Sequence, residues 1–373
     1  MVTAAAIPIS QSPLSDGRVA KPKTALISRG IDFWLLGGLS ILALFLFVAI
    51  DKFFSPGILN NTHFFILLPI LKICIEFPHL VASYRVAYSR GQSFVFRHWP
   101  ITILMPAILI LLMGALLFEN QSFHWPSEVL IKWSAATIFF LFGWHRSMQA
   151  FGCMMVYSKF DDYQISRQQR LFLKWFLIIM WLFGYLNLVR NSPNFSFYGL
   201  NVPMARVDDS FVLFADILMV AAWIGLGYFV IYKNIQTYRK LPSLNFLIAP
   251  LALFLWWSAF LWDWNFYLFL LPSCHSLQHL TFVFGSDELK PQVKLGGFGH
   301  LSKNSFLFIG LILASMALYF FPPLVFRQMS LVHNPEVMVG LVILFTSLHH
   351  YFLDGIIWKV SDSAFKEALL GKT

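Results

Sequence analysis

Charge is what this chain has least of. Asp, Glu, Lys and Arg make up 12% of its 373 residues, about half of the ~25% usual in a soluble domain. With 58% hydrophobic content and 41 Phe, that deficit excludes an ordinary soluble protein. Cysteine is almost absent too. Cys74, Cys153 and Cys274 all fall inside apolar runs, which excludes a disulfide framework and a zinc ribbon. No small-residue cleavage pattern follows the first apolar stretch, so residues 1–30, with Pro8, Pro13 and Pro22, read as a retained polar, flexible tail rather than a secretory signal. There is no repeat of 20 to 50 residues, no low-complexity tract and no second domain.

What is present is a succession of apolar runs of about 20 residues, the length that spans a bilayer as helix. They lie near 31–50, 62–86, 100–118, 133–157, 171–189, 210–232, 244–261, 265–285, 305–321 and 337–358. The expected fold is therefore all-α: a polytopic integral membrane protein of about ten transmembrane helices. A single domain over 31–358 lies between the tail and a short C-terminal segment, 359–373. The least distinct boundary is Trp262-Asp263-Trp264-Asn265, read as a tight interfacial turn. If the N-terminus is cytoplasmic, 20 Lys and Arg lie on the inner side. Only Lys52, Lys132, Arg190, Arg206 and Arg327 lie outside. That asymmetry predicts cytoplasmic N- and C-termini, and it makes the net charge of +9 a matter of membrane orientation, not of nucleic-acid binding. The expected location is the bacterial inner membrane. The longest outer loop, 190–209, is long enough to form a small cap.

Six of the 11 histidines fall within spans: His79, His145, His275, His279, His349 and His350. They sit on the second, fourth, eighth and tenth spans, which run in the same direction. Residue counts to the next inner charge, at ~1.5 Å per residue, put them roughly 9 to 21 Å from the inner boundary. Ionisable groups at one depth in a membrane point to function, although a single such histidine commonly just bonds a neighbouring helix.

The spacings add detail. Glu76-Phe-Pro-His79 places a carboxylate and an imidazole at i and i+3, as in carboxylate-bridged dimetal bundles. Lys72, one turn earlier, offers Glu76 an ion pair instead. His275 and His279 stand one turn apart on one face, suited to chelation. His349 and His350 diverge by about 100° and so serve different partners. Asp354, one turn beyond His350, is suited to orienting it or to binding metal directly. Arg146 and Gln149 follow His145. Arg146 is a deep cation that could neutralise Glu76 or Asp354 or meet an anionic substrate group. Asp216 and Asp263 read as interfacial.

Imidazoles with one or two carboxylates suit iron, copper, zinc or manganese. Non-haem iron, one or two ions, is the first choice, because dioxygen activation needs such a set with open positions and burial gives access to a lipid-dissolved substrate. The expected ligands are Glu76, His79, His145, His275, His279, His349 and His350, with Arg146, Gln149 and Asp354 assisting. The His275/His279 pair and the His349-His350 doublet resemble the histidine boxes of integral-membrane fatty-acid desaturases and hydroxylases, although Thr346 stands where the HxxHH box has its first His. The dispersed pattern is more similar to bacterial membrane-bound β-carotene cleavage dioxygenases. The resemblance implies iron-dependent oxygenation and assigns no substrate. The leading expectation from the residues is a membrane oxygenase acting on a lipophilic substrate such as a carotenoid, isoprenoid or acyl lipid, with dioxygen and a redox partner as co-reactants. Two alternatives remain open: a haem b electron carrier working with quinone, and a proton- or metal-coupled transporter.

Overall fold

The computed structural model describes residues 23–54, 67–119, 126–191, 194–197, 200–203, 206–258, 264–285, 299–328 and 335–358. Residues 1–22, 359–373 and the turn residues Trp262 and Asp263 lie outside these. The chain is helical almost throughout. In order come α1 (29–54), α2 (67–89), the short α3 (Gln92–Arg97), α4 (100–119), α5 (Pro126–Phe160), α6 (Arg167–Asn191), α7 (209–238), α8 (Leu244–Ser258), α9 (Trp264–Gly285), α10 (Gly299–Gln328) and α11 (Pro335–Ile357). Between α6 and α7, in the loop expected to form a cap, an antiparallel hairpin pairs β1 (Asn194–Phe197) with β2 (Leu200–Pro203).

Five helical stretches among the described residues are long and apolar enough to cross a membrane: Arg29–Phe53, Arg167–Asn191, Asp209–Tyr238, Ser305–Val325 and Met338–Ile357. Leu111, Phe211, Ile224, Phe306 and Leu313 stand exposed on the helix surfaces. So much outward apolar area is untenable in water and marks a membrane protein.

Part of the expected flexible tail is packed. Leu26 is buried, and the amides of Leu26, Ile27 and Ser28 donate to the carboxylate of Asp32, which also accepts from the Tyr157 hydroxyl on α5. The fully buried Asp32 thus satisfies the amides that lead into α1 and ties residues 26–28 to the bundle.

Proline shapes the helix around the later site. Pro78 has no N–H and its ring crowds the carbonyl one turn back. Just before it, residues Lys72–Glu76 form a π turn, closed by the Phe77 amide on Lys72 O. Two close approaches need glycine. A Cβ on Gly37 would meet Ala252 and Ile248 of α8, and one on Gly184 of α6 would stand 2.2 Å from the Trp257 ring. The largest core cluster gathers buried residues of α5 to α9, including Trp181, Trp256 and Trp257, with Leu36 of α1. A second cluster joins α2, α9, α10 and α11 through Val86, Leu280, Leu311 and Leu353.

Candidate metal centre

The histidine-bearing helices converge: α2 packs on α9 and α11, and α11 packs on α5. His79 from α2, His145 from α5, His275 and His279 from α9 and His350 from α11 are each at most 4% exposed. Their rings form one cluster, with centroids 4.8–5.5 Å apart and mostly edge-to-face.

Asp354 is the only carboxylate in the two candidate donor groups found among the described residues. Its two oxygens do different work. Oδ1 accepts from the Ser83 hydroxyl at 2.7 Å and lies 3.4 Å from His279 Nε2. Oδ2 lies 3.4 Å from His350 Nε2 and 3.7 Å from His145 Nε2. Bonds of about 2.0–2.2 Å at angles of 90–120° hold two donors roughly 2.8–3.8 Å apart, so both separations suit ligands of one first-row ion. His145, His350 and Asp354 make one donor group, and His79, His275 and His350 make a second. In each, the donor atoms lie within 4.8 Å of one another.

The hydrogen bonding points the same way. The Nδ1 of His79 contacts the Glu76 carbonyl and Ser276 Oγ, and that hydroxyl donates to Pro272 O. Both contacts therefore take the ring proton, which leaves the lone pair on Nε2. That atom is buried with no hydrogen-bond partner among the described residues. The same holds for His145 Nε2, His275 Nδ1, His279 Nδ1 and both nitrogens of His350. Leaving a buried polar atom unsatisfied costs about 1–3 kcal/mol, so such atoms gathered in one place call for an occupant. Imidazole nitrogens with one carboxylate fit a transition-metal ion.

Other expected ligands lie elsewhere. His349 points away from the cluster: Nδ1 meets the Tyr84 hydroxyl at 2.9 Å and Nε2 meets Ile101 O at 2.7 Å. Both nitrogens are thus engaged by protein. Glu76 belongs to neither donor group, and its charged neighbours are Lys72 and Arg146. Arg146 is 1% exposed, with its guanidinium carbon 3.1 Å from the Phe142 ring centroid. Gln149 donates to His275 O and to Gln278 Oε1, each at 3.0 Å, while the Gln278 amide donates to Leu36 O. It fixes α9 against α5. Asp216 accepts from Asn187 on α6.

A cavity of about 200 Å³ adjoins the first donor group. His145, His279 and Asp354 line it together with Trp144, Met148, Tyr351, Phe282 and Trp358. Sequence reasoning missed four supporting residues: Ser83, Ser276, Tyr351 and Trp358. Tyr351 stacks on His145 with centroids 4.5 Å apart, and the Trp358 indole donates to His279 Nε2 at 3.2 Å. Only Ser83, one helical turn after His79, carried a signal in its spacing. The chain matches no protein-family model, no curated protein and no solved structure.

Proposed function

We propose that this protein is a non-haem iron oxygenase of the bacterial inner membrane, acting on a lipophilic substrate such as a carotenoid, isoprenoid or acyl lipid. The observation that carries the reading is the donor group His145, His350 and Asp354, of which His145 and Asp354 line an aromatic-walled cavity. Two imidazoles and one carboxylate leave coordination positions open, the donor set of iron(II) oxygenases. Iron held there would supply dioxygen activation at those open positions.

The chain's own residues supply the rest. Ser83 holds Asp354 by Oδ1 and leaves Oδ2 toward His350 and His145, where it would hold the ion. Tyr351 fixes the plane of His145. Trp144, Met148, Phe282 and Trp358 give the cavity an apolar wall that admits a hydrocarbon and excludes water. The close packing of five imidazoles and a carboxylate favours a bare ion over haem, which needs a flat slot between its axial ligands.

The same reading has the chain cross the membrane ten times with both termini in the cytoplasm. Its support is the helix found in each of the ten apolar runs and the excess of Lys and Arg in alternate connections. Reporter fusions at both termini test it, and a periplasmic signal from either would refute the orientation. A redox partner would then meet the protein from the cytoplasm.

The functional test is elemental analysis with an absorption spectrum on detergent-purified protein. Iron without a Soret band is expected in the parent, with less iron and no activity in His145→Ala and Asp354→Asn, and with oxygen from labelled dioxygen entering a lipid product. A Soret band would make it an electron carrier, and no metal after anaerobic reconstitution would sink the reading.

A further inference from the structure

The second donor group is chemically unlike the first. His79, His275 and His350 offer three nitrogens and no carboxylate, and His79 and His275 do not line the cavity that His145 and Asp354 reach. They are 3%, 2% and 0% exposed. The His79 ring stands 5.4 Å from His275 at 88° and 4.8 Å from His350 at 89°, so the three planes splay as ligands around a common point. The hydroxyl of Ser276 and the Glu76 carbonyl take the Nδ1 proton of His79, turning its Nε2 lone pair outward without a protein partner among the described residues. His275 Nδ1 is likewise unsatisfied. Such an arrangement on three different helices is costly to bury unless something accepts those lone pairs.

We propose that His79, His275 and His350 bind a second divalent first-row ion, beside the first and removed from the substrate cavity. An all-imidazole set favours zinc, copper, iron or nickel over magnesium, calcium or manganese. The ion ties α2, α9 and α11 together and fixes His350 from behind, so it positions a ligand of the first ion without itself meeting substrate. Neither nitrogen of His350 has a hydrogen-bond partner among the described residues, and with Nε2 facing Asp354 Oδ2 at 3.4 Å, Nδ1 is left as the donor for the second ion. When both ions are held, the ring serves as imidazolate and its last proton passes to solvent as the second ion binds. This inference rests on the reading above only through the shared His350.

The experiment counts metal on the full chain in detergent, reconstituted anaerobically with iron(II) alone or zinc(II) alone and freed of excess by gel filtration. The parent should hold about two ions, His79→Ala and His275→Ala about one, Asp354→Asn and His145→Ala about one, and His350→Ala none. His275→Gln, which keeps a polar side chain of similar size, guards against misfolding, and all variants must elute as the parent does. A single ion in the parent, lost with His145 or Asp354 but kept in His275→Ala, overturns the second site and leaves the oxygenase reading standing. A single ion lost in every variant means one shared ion, which also overturns it. Two ions in the parent with no oxygenated product would leave the second site standing and remove the oxygenase.

Discussion

Ser83→Ala tests whether Asp354 works as an oriented ligand. The substitution deletes one hydroxyl from a fully buried position and leaves almost no cavity. What it removes is a 2.7 Å hydrogen bond to Asp354 Oδ1, along with a 3.0 Å contact to His279 Nε2. A hydrogen bond to a charged group contributes about 1.5–3 kcal/mol. At ~1.4 kcal/mol per factor of ten, its loss should weaken ion binding roughly 10- to 100-fold, which is also the usual effect of removing a group that orients a ligand. Competition against a chelator of known affinity, in protein reconstituted into nanodiscs, reads this directly. Ser315→Ala is the control, because Ser315 is equally buried and, among the described residues, its hydroxyl bonds only the Ile312 carbonyl of its own helix. Equal affinities for the two variants would refute the orienting role. If Asp354→Asn also left affinity untouched, the group His145, His350 and Asp354 would not be the metal site.

His349→Leu should leave metal content unchanged, because its partners are Tyr84 and Ile101 O, yet lower stability by about 1–3 kcal/mol as the carbonyl loses its donor; loss of metal would contradict the placement. Gly184→Ala drives a Cβ to 2.2 Å from the Trp257 ring, and overpacking there should cost about 1–3 kcal/mol in denaturant unfolding, with unchanged stability speaking against the α6–α8 contact. Tyr157→Phe takes the hydroxyl from the buried Asp32 carboxylate, for an expected loss of about 1.5–3 kcal/mol and faster hydrogen exchange over 23–33. Gln149→Leu leaves Gln278 Oε1 and His275 O without their donor, so thermal unfolding should fall clearly below that of the parent.

Local relations along one helix were legible in the amino-acid sequence. Helix period put His350 and Asp354 on one face, and they do meet across one turn. Hydrophobic run length located the helices, because a bilayer sets that length whatever the neighbours are. The Glu76–His79 spacing is altered for an equally local reason. Pro78 opens a π turn over Lys72–Glu76, and His79 takes the Glu76 backbone carbonyl while Glu76 stays outside both donor groups. The choice between His349 and His350 lay beyond any reading of one segment. Two residues about 100° apart cannot both face inward, and the rotation of α11 about its axis is set by what packs on it from α2, α5 and α10. The same holds for Ser83: its spacing put it on the face of His79, but its role comes from Asp354, 271 residues further along the chain. Periodicity and hydropathy are properties of neighbours in sequence, so they specified the helices and their faces. The candidate metal centre depends on the relative rotation of four helices, which arises only when they pack.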